Sequence, residues 1–154
     1  MKRIFGILFL YVVVLSGCTG ESRLYSGIEK SDIVDISNVK NIEFIYQYKG
    51  HTENWAAHYI VFKMKDNDNH TSKMLLKYIG KKPGPTGELR YAYQTEGGGD
   101  GSGTMSNAES ENQIYNLGSS GGNGAIAAED SIVKMQVYWN GNTEDFELKP
   151  EMNQ

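Results

Sequence analysis

Few residues in this chain have the types and spacing for chemistry. Gly118, Ser119, Ser120, Gly121 and Gly122 spell G-x-S-x-G. In a hydrolase this pattern lifts the serine onto a strained turn between a strand and a helix, where a histidine further along the chain activates it. Here no helical periodicity follows Ser120, and His51, His58 and His70 all precede it. Asp66, Asn67, Asp68 and Asn69 resemble the opening of a calcium loop, but Thr71 stands where such a loop needs glycine and Lys77 where it needs a bidentate glutamate. Asp100, set in the glycine-rich run Gly97 to Gly103, has the look of one glycine-rich calcium repeat, and those repeats work stacked in tandem. The three histidines lack zinc-ligand spacing, and no phosphate loop of the G-x-x-x-x-G-K type occurs. The expectation is therefore no catalytic set, no metal site and no cofactor.

The single cysteine, Cys18, has a more specific setting. Lys2 and Arg3 precede an apolar run of 12 residues from Ile4 to Leu15, and the small residues Ser16 and Gly17 follow. Basic, then apolar, then small is the order of an export signal. As a helix the run spans roughly 18 Å, against about 30 Å of bilayer hydrocarbon, so it is too short for a comfortable transmembrane span. The tetrapeptide Leu15, Ser16, Gly17, Cys18 resembles the lipobox of bacterial lipoproteins. That resemblance implies a diacylglyceryl thioether on Cys18 and cleavage between Gly17 and Cys18. One acyl chain binds a bilayer marginally and two anchor stably, at about 0.8 kcal/mol per buried methylene. The expected location is the cell membrane, lipid-anchored, on the extracytoplasmic side.

Charge agrees with that location. Fifteen basic residues face 19 acidic ones, and two of the basic ones, Lys2 and Arg3, belong to the leader. An acidic domain without a clustered basic face argues against nucleic acid as a partner and against electrostatic adhesion to anionic lipid. With one cysteine, no internal disulfide can form, so packing must supply the stability.

The elements that would position any site read as strands. Residues 1–17 form the leader, 18–40 the lipidated cysteine and a polar tether, and 41–154 a single β domain. Within the tether Ile33, Val34 and Ile36 could pair as an edge strand. Ile42, Phe44, Tyr46 and Tyr48 alternate onto one face of a first strand. Trp55 to Met64 is apolar on both faces and predicts a central strand; in the alternative, Thr52 caps a short helix that aligns Trp55 with Tyr59. Met74, Leu76 and Tyr78 predict a third strand after the polar turn Asp66 to His70, and Leu89, Tyr91 and Tyr93 a fourth after the loop Gly80 to Gly87. Thr104 and Met105, then Ile114 to Leu117, are weaker candidates. Asn140-Gly141 between two alternating runs predicts a two-residue hairpin turn of type I′. Its register sets Met135 against Phe146, Val133 against Leu148 and Lys134 against Glu147.

About seven short strands without helical periodicity predict an all-β fold. The first choice is a small antiparallel β-sandwich, Ig-like or related, closed by the C-terminal hairpin, and the alternative is a small β-barrel. Tyr46, Tyr48, Trp55, Tyr91 and Tyr93 are candidates for a sugar-stacking platform, with the core as their competing place. The segments Gly97 to Gly103 and Gly118 to Gly124 read as mobile surface connectors. Taken whole, glycine-rich stretches ahead of a closing hairpin with Trp139, Asn140 and Gly141 give a chain that resembles small exported lipoproteins of Gram-positive, Bacillus-type bacteria. That resemblance carries no catalytic residue. The functional expectation is a binding or interaction module of the cell envelope, held by the bilayer through acylated Cys18 and meeting an envelope protein or glycan. The alternatives are a hydrolase-type envelope enzyme and a structural envelope component.

Overall fold

A computed structural model describes residues 23–28 and 40–151. Eight strands follow one another: β1 (Ile42–His51), β2 (Trp55–Met64), β3 (His70–Tyr78), β4 (Leu89–Thr95), β5 (Asp100–Met105), β6 (Ile114–Gly122), β7 (Val133–Trp139) and β8 (Asn142–Pro150). They make one antiparallel sheet in the order β5-β4-β7-β8-β1-β2-β3-β6. Two four-stranded halves face each other across a shared core, as in a sandwich. A seam joins them into one nearly closed, barrel-like sheet, the architecture held as the alternative to the sandwich. At the seam Tyr48 pairs with Pro150 and Lys49 with Lys149. The Glu151 amide extends it by donating to the Gln47 carbonyl at 2.8 Å. Between the terminal strands β5 and β6, the Tyr91 hydroxyl reaches from β4 to donate to the Leu117 carbonyl at 2.9 Å.

The closing hairpin has the register its turn chemistry demands. Asn140 and Gly141 take φ values of 48° and 78°, both left-handed, as a type I′ turn requires. Met135 faces Phe146, Val133 faces Leu148 and Lys134 faces Glu147. The turn is also pinned from outside: Asn140 Oδ1 accepts the Thr86 amide at 3.1 Å, and its Nδ2 donates to the Gly84 carbonyl at 3.1 Å.

Period-two alternation sends Tyr48, Trp55, Tyr59, Met74, Leu76, Tyr78, Leu89, Tyr115, Val133, Met135, Val137, Trp139 and Leu148 into one core. Trp55 lies at its centre, edge-on to Tyr78, Tyr115 and Trp139 with ring centroids 5.1, 5.7 and 5.3 Å away. Edge-to-face pairs add about 0.5–1.5 kcal/mol each beyond area burial. Thr52 caps a turn and not a helix. Its Oγ1 accepts the amides of Asn54 and Trp55, turning β1 directly into β2, and the aromatic and β-branched run from Trp55 stays extended. In β1 the expected shared face holds for Phe44, Tyr46 and Tyr48. A register shift between Ile42 and Phe44 moves Ile42 to the opposite face, where it packs with Ile45, Ile60 and Leu75.

The double-sided burial of β2 has a physical source. Arg23–Ile28 forms a helical turn in which the Ser26 and Ile28 amides donate to the Arg23 and Tyr25 carbonyls at 3.4 and 3.0 Å. Ile28, 4% exposed, packs on Ile60 and Leu75 against the outer face of β2 and β3. Lys77 Nζ donates to the carbonyls of Arg23 and Ser26 and to Ser26 Oγ. This stretch, expected to be tether, is docked onto the barrel. The remainder of 18–40, including Ile33, Val34 and Ile36, lies outside the described residues apart from Lys40.

The glycine-rich segments are corrected more sharply. Gly101 and Gly103 lie in β5, and Gly118, Gly121 and Gly122 in β6; both strands are sheet members and not connectors. The cause is cross-strand. Tyr93 pairs with Gly101 and Tyr91 with Gly103, and each ring lies where the glycine's Cβ would stand. The tyrosines cover the glycines and recover burial that the glycines themselves cannot supply.

A second tight turn carries strain. Asn112 and Gln113, at φ 52° and 67°, join Glu111 to Ile114, and the Gln113 carbonyl accepts the Tyr78 amide at 2.9 Å. A left-handed non-glycine residue costs about 1–2 kcal/mol, partly offset when glycine replaces it by the added freedom of the unfolded chain. Gln113→Gly should therefore stabilise the domain by about 0.5–1 kcal/mol, read as a higher urea midpoint. A lower midpoint would mean that the side chain, and not only the carbonyl, holds the turn.

Candidate functional site

The residues singled out by type do not come together. Ser120 sits mid-strand in β6, its hydroxyl 2.7 Å from that of Ser72, with no helix after it. His51 is exposed at the end of β1, His70 opens β3, and His58 is buried on the outer face of β2. Asp66 to Asn69 are exposed in the β2–β3 turn, where the Asn69 amide donates to Asn67 Oδ1 at 2.9 Å. Among the described residues no group of three or more acidic, histidine or cysteine side chains could hold a metal ion. Gly17 and Cys18 lie outside the described residues.

The aromatic platform is also corrected. Tyr48 and Trp55 are fully buried, and Tyr46, Tyr91 and Tyr93 pack against the same core. Burial pushes the phenols of Tyr48 and Tyr59 up to about 12, so both stay neutral. Tyr48 donates to the Ala128 carbonyl at 2.5 Å, tying the 123–132 connection over one end of the barrel.

Three surface depressions among the described residues are large enough to consider. One, about 730 Å³, flanks β3 and β6 beside Ser26 and Gly27, but its cation Lys77 is already engaged by Arg23 and Ser26. Another, about 540 Å³, caps the barrel end over Tyr78 and Trp139. Its amides are spent on the fold: Asn54 Nδ2 donates to Glu144 at 2.6 Å, Thr52 donates its hydroxyl to the same carboxylate, and Asn140 is pinned as above. The third, about 670 Å³, lies on the outer face of β5-β4-β7-β8.

Strand register builds this third site row by row. Ser102, Ala92, Gln136 and Asp145 form one row across the four strands, and Asp100, Gln94, Lys134 and Glu147 the next. On the other side of the Ala92 row, Arg90 lies opposite Tyr138, its guanidinium 3.9 Å from the ring centroid and its Nε 2.9 Å from Glu88. Ala92, short among long neighbours, makes the floor. Gln94, Asp100, Ser102, Lys134, Gln136, Asp145 and Glu147 are all exposed. Gln136 Nε2 donates to Asp145 Oδ1 at 2.7 Å, fixing an amide beside a carboxylate. The array can donate and accept several hydrogen bonds at once, but it contains no nucleophile activated by a base. Of these residues the sequence alone singles out Asp100, Lys134 and Glu147. The hairpin register that pairs Lys134 with Glu147 also sets Gln136 against Asp145, and that was the signal available for the rest. Searches against protein-family models, curated proteins and solved structures find no match to this chain.

Proposed function

We propose that this chain is an extracytoplasmic lipoprotein, anchored through acylated Cys18, whose barrel serves as a binding module of the cell envelope. The observation that carries the reading is the order of basic residues, short apolar run and Leu15-Ser16-Gly17-Cys18 at the N-terminus. The fold is compatible with display. Arg23–Ile28 occupies the outer face of β2 and β3, whereas the polar outer face of β5-β4-β7-β8 stays open. Arg23 lies five positions beyond Cys18, a reach of at most roughly 17 Å, so the docked turn would hold the barrel close to the lipid surface. Among the described residues no helix is long and apolar enough to cross a membrane.

The test is metabolic labelling with a radioactive fatty acid. Wild-type protein should take up label and fractionate with membranes. Cys18→Ala should lose the label and appear as uncut precursor or as released protein, because both modification and cleavage depend on the thiol. Unlabelled wild-type protein would overturn the anchoring.

A further inference from the structure

We propose that the outer face of β5-β4-β7-β8 binds an uncharged, hydroxyl-rich glycan strand across Ala92, with Gln136, Asp145, Gln94 and Lys134 as its principal contacts. The proposal deepens the binding-module reading and rests on it.

The composition of the face selects the ligand. Protein partners anchor on apolar and aromatic side chains at the centre of an interface. Here the central row is Ser102, Ala92, Gln136 and Asp145; the lining aromatics Tyr93 and Phe146 pack against the inner core, and Tyr138, in the adjoining outer row, already lies under Arg90. Polyanions are disfavoured too. Lys134 faces Glu147 and Arg90 pairs with Glu88, which leaves Asp100 and Asp145 as uncompensated negative charges on the face. A ligand here must offer many hydroxyls and no phosphate or carboxylate.

Geometry favours an extended occupant. Neighbouring strands lie about 4.8 Å apart, so the row Asp100, Gln94, Lys134 and Glu147 presents polar groups at a short, regular interval across four strands, beside the Ala92 floor. The Gln136–Asp145 pair offers donor and acceptor side by side with its orientation already set, which reduces the ordering cost of binding. The alanine floor lets a flat ring approach the sheet between Gln94 and Gln136. A depression of about 670 Å³ lies within the range of small-ligand sites.

The experiment uses the full chain in detergent micelles, titrated calorimetrically with neutral oligosaccharides of N-acetylglucosamine and of glucose, and with a polyphosphate as the anionic probe. Binding of a neutral oligosaccharide, weakened about tenfold or more in Gln136→Ala/Asp145→Ala and unchanged in Lys73→Ala on the other half of the barrel, is the expected result. Unchanged circular dichroism and melting temperature in the double variant would show that the loss is local. Binding of polyphosphate but of no neutral glycan, or glycan binding that ignores the double variant, overturns the site. Retention of the wild-type domain on isolated envelopes distinguishes the two levels. Envelope retention without binding of either oligosaccharide defeats the glycan assignment alone, and loss of both defeats the binding-module reading as well.

Discussion

Gly50→Ala should destabilise the barrel by about 2–3 kcal/mol, toward the upper end of the range for overpacking a tight site, and lower the melting temperature by about 10 °C. Gly50 is buried in β1 beside the seam. A Cβ there would run directly into the Glu147 carbonyl oxygen and come within 2.8 Å of Leu148 Cδ2. Neither neighbour can yield easily. Glu147 and Leu148 are paired along β7, and Leu148 is wholly buried. The strain is relieved by parting β1 from β8, where the pairing is short and the Lys49–Glu151 ion pair at 2.7 Å is partly exposed, so it contributes little. A melting temperature within a degree or two of wild type would mean that the strands do not meet this closely.

Acidification should be the second large effect, and His58 its source. The imidazole is 2% exposed and neither ring nitrogen has a hydrogen-bond partner. It lies on the outer face of β2 between Lys49 of β1 and Leu75 of β3. Burial, reinforced by the Lys49 ammonium and opposed by the Glu151 carboxylate, lowers its pKa from 6.5 to about 4. Above pH 6.5 the side chain is neutral whether folded or unfolded and adds no pH dependence. Between pH 6.5 and 4 the unfolded chain takes up a proton that the folded chain refuses, so stability falls with falling pH, and below 4 the loss levels off. The loss amounts to about 3 kcal/mol. His58→Leu removes the titrating group and fits the apolar site beside Ile60, so urea midpoints of the variant should decline less over this range. Parallel declines in the two proteins would assign the acid sensitivity to carboxylates.

Local chemistry made much of the fold legible. Asn140-Gly141 permits one turn type, that turn permits one register, and the register dictated which side chains of β7 and β8 meet. The alternation in β3 and β4 was readable for the same reason: one face sees the core and the other sees water. What misled was residue type taken without its cross-strand neighbour. Gly101 and Gly103 looked like entropy-rich linker, because the rings that justify them, Tyr93 and Tyr91, belong to the preceding strand. The stretch Arg23–Ile28 looked polar and idle, yet Ile28 and the carbonyls of Arg23 and Ser26 find partners only after β2 and β3 have assembled. The candidate site was hardest to see. Gln94, Gln136 and Asp145 are ordinary outward residues in one dimension and form a surface only when four strands are laid side by side in register.

The seam between β1 and β8 also bears on when the barrel can form. Lys49 and Glu151, which meet across it, are 102 positions apart, so closure joins nearly opposite ends of the domain. The hairpins β1–β2–β3 and β7–β8 can be built from local contacts, but loop-closure entropy makes so distant a pairing slow. A chain threaded outward N-terminus first would present Cys18 for acylation while Glu151 had yet to emerge. Under the anchoring proposed above, the barrel would close on a chain already tethered, so its open strand edges would be exposed at the membrane surface until Glu151 arrives.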